Sequence, residues 1–325
     1  MAHTQDGLRR RALLATGLAA PAVARAQVVF PSRPIRVVVT FPPGGSSDVI
    51  GRILAPRIEA RLGQPMIIDN RPGAGGNIGM DAVAKAAPDG HTLGIGAAGA
   101  LAVNPSLYPS MPYDPQRDLA PITLLAGIPF VIAASPRLGV QTPGELLARA
   151  RAGRLTLAHG GNGTAMHLSA ELFNQMAGVR IEPVPFRGSG PAVTALVAGQ
   201  TDLAMVDLAS SLGLARGGQI VPIGVTTRTR LAGLPETPPL AEAGLPGYES
   251  VGWFGLVAPA RTPGAVLEQL NLAFTAALRE PEVVQRLEAA GMVPEPGSAA
   301  EFGAFIAAET VKWAAVVRAA GTRLD

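Results

Sequence analysis

The residues of this sequence best suited to chemistry are glycines set beside serine, threonine and asparagine. They form Pro42-Pro43-Gly44-Gly45-Ser46-Ser47-Asp48, Pro72-Gly73-Ala74-Gly75-Gly76-Asn77, Gly160-Gly161-Asn162-Gly163-Thr164 and Arg187-Gly188-Ser189-Gly190-Pro191. Each follows a strand-like run and precedes a helix-like one, so each would present free backbone N–H groups at the positive end of a helix dipole. Glycine lets that backbone approach a ligand closely. In open α/β sheets such loops lie at the carboxyl ends of the strands, where ligands bind. Four of them in two groups point to a cleft for a small anion.

Other chemistry finds less support. A phosphate loop needs a lysine after its last glycine, and beyond residue 26 the only lysines are Lys85 and Lys312. Gly94-Ile95-Gly96-Ala97-Ala98-Gly99 matches a dinucleotide pattern, but Pro105 and Pro109 interrupt the helix that would have to follow. His91, His159 and His167 have no metal-ligand spacing and the chain has no cysteine, so neither a metal nor a cofactor is expected. No Gly-x-Ser-x-Gly elbow exists, and no serine has an evident histidine partner. His167, shortly after Gly163-Thr164, reads as an orienting or packing residue. Asp48 and Asp207 fall near helix starts, where capping is their first explanation and ligand contact by Asp207 the second.

The elements that must position these loops alternate. Strands are expected at Ile35–Phe41, Met66–Asn70 and Thr92–Gly96, with helices between them: Val49, Ile50, Ile53, Leu54 and Ile58 recur at helical spacing, with a kink at Pro56, and a second helix runs from Asn77 to Ala86. This βαβαβ order predicts a mostly parallel sheet covered by helices. Leu119 to Pro136 carries no charge and is broken by prolines and Gly127, which suits two buried strands flanking a crossing point. A second α/β unit follows, with helices at Pro143–Ala152, Thr164–Met176 and Pro191–Ala198 and strands at Leu155–Ala158, Glu182–Pro185, Asp202–Val206 and Ile220–Gly224. The last 60 or so residues are mainly helical, and Phe302, Phe305, Ile306, Trp313, Val316 and Val317 form a core-packing stripe that folds back on the first unit.

A chain of 325 residues has room for about two domains, and with 48% hydrophobic and 16% charged residues it is no disordered polymer. The net charge of +3 belongs to one segment. Residues 1–26 carry Arg9, Arg10, Arg11 and Arg25 against Asp6, an uncharged stretch Ala12–Ala24 and the end Ala24-Arg25-Ala26, which reads as a signal peptide cleaved before Gln27. The stretch is shorter than the roughly 20 residues of a membrane helix. Arg10-Arg11 leaves both the twin-arginine and the general secretory routes open. Without this segment the formal charge is zero, no basic run remains and aromatics are only 4%, which speaks against nucleic acid as a partner.

Several further stretches carry a resemblance. Phe41-Pro42-Pro43-Gly44-Gly45-Ser46-Ser47-Asp48, Asp69-Asn70-Arg71-Pro72-Gly73-Ala74-Gly75-Gly76, Ala87-Pro88-Asp89-Gly90-His91-Thr92-Leu93 and Asn104-Pro105-Ser106-Leu107-Tyr108 occur in this order. Gly163-Thr164-Ala165-Met166-His167-Leu168, Phe186-Arg187-Gly188-Ser189-Gly190-Pro191-Ala192 and Gly252-Trp253-Phe254-Gly255 follow them. Together they resemble the tripartite tricarboxylate transporter receptors, the Bug family of periplasmic solute-binding proteins, over nearly the whole chain. The resemblance implies an α/β, type II-like two-lobed periplasmic binding fold with the ligand cleft between the lobes, lobe 1 comprising 27–128 and 251–325 and lobe 2 comprising 129–250. It implies a monomer that closes by hinge motion on a small carboxylate and delivers it to integral-membrane permease subunits. A periplasmic enzyme acting on a carboxylate, or a sensor feeding a signalling partner, are the alternatives. The matching positions make Pro43, Gly44, Gly45, Ser46 and Ser47, Asn162, Gly163, Thr164 and His167, Arg187, Gly188, Ser189, Pro191 and Ala192, and Asp207 the expected ligand-binding residues. Phe186-Arg187-Gly188 stands where the family usually has Tyr-Lys-Gly, so a relative's specificity does not carry over.

Overall fold

A run of β-branched residues makes Ile35–Val39 the first strand, β1, and Ile35, Val37, Val38 and Val39 are all fully buried, as both faces of an inner parallel strand must be. The computed structural model describes residues 30–320; the expected signal segment 1–26, with its cleavage point before Gln27, lies outside the described residues, as does the side chain of Val316. From β1 the chain passes through helix α1 (Ser46–Leu62) to β2 (Met66–Asn70), then through α2 (Asn77–Ala84) to β3 (Thr92–Ala97). Both β2 and β3 pair parallel to β1. Helix α1 continues through Pro56 as one element.

After β3 a π-helical turn, Gly99–Val103, runs into the four-residue helix α3 (Asn104–Leu107). The long helix of a dinucleotide fold is absent from this position. Next comes β4 (Leu119–Ala134), a single strand of 16 residues where two were expected. Register shifts at Pro121/Thr123 and Leu124/Ala126 absorb the prolines and let the strand continue. Its first part, to Pro129, pairs antiparallel with β9 (Val251–Pro259), and its last part, from Phe130, pairs with β7 (Leu203–Asp207) and β8 (Val221–Val225).

The second unit holds α4 (Pro143–Ala152), β5 (Thr156–His159), α5 (Ala165–Ala177), β6 (Glu182–Pro185), α6 (Ser189–Val197) and α7 (Leu208–Arg216). Strand β5 pairs parallel with β6 and β7. Helix α6 begins at Ser189, two residues before the expected Pro191, because proline is tolerated throughout a first turn whose N–H groups have no partner. In both sheets the parallel pairing is confined to three strands, and the strands that cross between the units pair antiparallel.

Side chains alternate along the second sheet as the pleat requires. Phe130, Ile132, Leu203 and Met205 join the main core, whereas Val131, Ala133, Ala204 and Val206 join a second core under α6 and α7. The tail forms α8 (Gly264–Leu278), α9 (Pro281–Ala289), a short β10 (Val293–Pro294) on β4, and α10 (Ala299–Ala320). Phe302, Ile306, Trp313 and Val317 are buried, in keeping with the expected stripe. Trp253 on β9 and Trp313 on α10 both donate their indole N–H to Glu309 Oε2, at 3.0 and 2.8 Å. Trp313 and Val317 share a small core with Val103 and Leu107 of the first unit and Leu168 of α5.

Candidate functional site

Four helices, α1, α5, α6 and α7, begin at the ends of strands or glycine loops that face the space between the two sheets. Their N-termini differ in one respect. Thr164 caps α5 by accepting from the His167 amide, and Asp207 caps α7 by accepting from the Ser210 amide at 2.8 Å. The caps of α1 and α6 are Gly45 and Gly188, which have no side chain to offer. The amides of these two first turns are therefore covered by no side-chain cap and point their positive ends at the cleft. Gly188 needs its glycine for φ +118°.

The cleft at these two helices is lined by Phe41, Pro43, Gly45, Ser46, Ser47, Met166, Gly188, Ser189, Pro191, Asp207 and Phe254, among others, around about 360 Å³ of atom-free space. Ser46 Oγ donates to Asp207 Oδ2 across it, and Ser189 Oγ accepts from the Asp207 amide at 2.9 Å. With its proton given to Asp207, Ser46 is left with lone pairs only. Ser47 Oγ is different: it is fully buried and has no hydrogen-bond partner among the described residues. A hydroxyl in that state is an available donor. Asp48, in the same turn, accepts from Arg52 and from the Gly44 amide; burial opposes its charge, but these hydrogen bonds hold its carboxyl below the usual range.

Beside this polar end lies an apolar one. Phe41 stands edge-on to Phe254 with ring centroids 6.3 Å apart, and the space behind them is lined by Ala98, Ile128, Phe130, Thr164, Met166 and Trp253. The site thus offers amide and hydroxyl donors at one end and hydrocarbon at the other.

The expected residues separate into groups. Pro43, Gly45, Ser46, Ser47, Gly188, Ser189, Pro191 and Asp207 meet in one place. Asn162 and the exposed Arg187 line a neighbouring recess with Tyr108 and the Gly73–Gly76 loop, and Gly44 lies at the outer mouth. Gly163 directs its amide to His167 Nδ1 at 3.3 Å, beneath the loop. His167 is buried there and its ring stacks on His159, centroids 4.6 Å apart. Ala192 is fully buried in the second core. Met166 and Phe254 were not singled out as site residues; each sits next to a recognised glycine or hydroxyl motif, but an apolar residue facing a cleft has no periodicity to distinguish it from core.

Among the described residues no group of three or more His, Asp or Glu side chains could hold a metal ion, and no helix is long and apolar enough to cross a membrane.

The family model for the tripartite tricarboxylate transporter family receptor matches residues 50–322. The chain belongs to this family. The receptor is 38% identical over 311 residues to protein BugT of Bordetella pertussis, covering 95% of this chain and 94% of that one. Its structure is similar to that of Rpa4515 of R. palustris solved with adipate, with a TM-score of 0.88, 36% identity, and coverage of 91% of this chain and 100% of that one. MatC of Rhodopseudomonas palustris, solved with bound malate, gives a TM-score of 0.83 at 34% identity, covering 89% of the receptor and 100% of that chain. The α/β periplasmic-binding-protein fold and the Bug relationship are thereby shown, and the receptor is a solute-binding protein rather than an enzyme.

Proposed function

We propose that this receptor is exported to the periplasm by residues 1–26, binds a small carboxylate between lobes formed by 27–128 with 251–325 and by 129–250, and works as a monomer. The lobes close on the ligand by hinge motion and the loaded form delivers it to the membrane subunits of a tripartite tricarboxylate-type transporter. The observation that carries the reading is Ser47 Oγ, a buried donor without a partner among the described residues, beside the uncapped amides of α1. The facing start of α6 and the apolar wall of Phe41, Met166 and Phe254 favour a carboxylate head on a hydrocarbon body. The change of pairing on β4 between Pro129 and Phe130 supports the lobe boundary, and the adipate and malate with which two relatives were solved support the solute class.

Mass spectrometry of the denatured protein tests this directly by identifying any solute carried through purification. A panel of mono- and dicarboxylates should raise the melting temperature, since a ligand that binds only the native state stabilises it by mass action. A rise with neutral sugars and none with carboxylates would overturn the reading.

A further inference from the structure

The two units also meet along a seam where glycine backbone of one comes close to the other. Three glycines lie on it. A Cβ on Gly75 would stand 3.0 Å from the Asn162 carbonyl oxygen, and one on Gly163 would stand 2.6 Å from Asn104 Oδ1. A Cβ on Gly99 would stand 2.8 Å from the Gly163 carbonyl oxygen, closer than real Cβ atoms come to anything. Gly75 and Gly163 have φ of +62° and +79°, so their own backbone demands glycine. Gly99 has no such demand: it lies outside the left-handed region, in the π-helical turn Gly99–Val103 where alanine fits. Beyond its own turn, the nearest first-unit atom to its Cβ position is the Gly75 oxygen at 3.4 Å, an ordinary contact. What excludes a side chain at position 99 is therefore backbone from the other unit.

We infer that Gly99 is a closure-determining residue: its bare Cα lets the Gly163 carbonyl approach, and the backbone contact there sets how far the lobes can close. The inference rests on the reading that the units move relative to one another, with the present structure as the closed form. A methyl group at position 99 acts as a stop. It holds Gly163 and Thr164 away and leaves each unit internally unchanged, because the clashing atom is backbone that no rotamer change can move.

The chain has no cysteine, so Ile67→Cys on β2 and Val197→Cys on α6, both exposed, accept spin labels uniquely. Pulsed electron–electron distance measurements on the labelled full chain, with and without adipate or malate as probes, report the separation of the units. The labelled parent should populate the separation seen in this structure. Gly99→Ala should reduce that population ~10-fold or more, with unchanged melting temperature in the absence of probe, whereas Gly213→Ala, a helical glycine with open space around it, should match the parent. A Gly99→Ala chain that keeps the short separation overturns the proposal alone. One that melts far below the parent also overturns it, by placing the requirement for glycine inside the first unit. A parent that never reaches the short separation overturns the closing mechanism and the proposal together.

Discussion

Ser46, the first residue of α1, donates its hydroxyl proton to the carboxylate of Asp207, the last residue of β7, so that two strand–helix junctions from different units are joined by one hydrogen bond. Both residues are almost wholly buried, and the other carboxylate oxygen of Asp207 caps α7. Asp207→Ala removes the cap and strands the Ser46 hydroxyl, and should lower the unfolding free energy by ~1–2 kcal/mol in urea titrations at pH 7. Asp207→Asn keeps an oxygen for the Ser210 amide and offers its NH2 group to Ser46, so less than half of that loss is expected.

Ser47→Ala separates binding from folding. The hydroxyl has no partner among the described residues, so its removal should leave urea stability unchanged or slightly raised. Carboxylate affinity, measured by calorimetry with whichever acid the mass spectrum identifies, should fall by about 10-fold or more, the worth of a hydrogen bond to a charged group. A parallel drop in stability and affinity would mean that the serine is structural.

His159 sets a pH dependence. Burial and the neighbouring His167 push its imidazole down to about 3, so it stays neutral in the folded chain, while the unfolded chain takes up a proton near 6.5. The unfolded state therefore binds more protons between these values, and stability is fully present above pH 6.5 and is lost as the pH falls toward 3. One proton corresponds to a slope of ~1.4 kcal/mol per pH unit. His159→Phe, which keeps a ring against His167, should remove that slope from urea unfolding series run between pH 6 and 4.

Glu309 holds both tryptophans of the chain through one oxygen, with Lys312 on the other at 3.1 Å. Glu309→Ala leaves two buried indole N–H groups without an acceptor and should cost ~2 kcal/mol or more, followed by tryptophan emission during unfolding. Glu309→Gln keeps an acceptor oxygen and should cost clearly less.

The glycine loops, the alternation of strands and helices and the apolar stripe of α10 could be read from the sequence because each has a local cause: turn chemistry, periodicity two or periodicity 3.6. Strand β9 could not. Gly252 and Gly255 break its alternation, and they are there because the rings of Phe130 and Phe302 occupy the space of their missing side chains. The prolines of β4 suggested two strands because the register shifts that accommodate them depend on the partner strand. In the site, Ser46 and Ser47 were legible as a pair, but their different duties follow from Asp207, which is 161 residues away from Ser46 in the chain. The role of Gly99 was hidden for the same reason, as its neighbour belongs to the other unit.

Strand β4 is an inner member of both sheets, flanked by β9 and β10 in one and by β7 and β8 in the other. Neither sheet can lose it without the other being broken. The receptor should therefore melt in a single cooperative transition despite its two halves, and a fragment cut at the crossing would lack an interior strand.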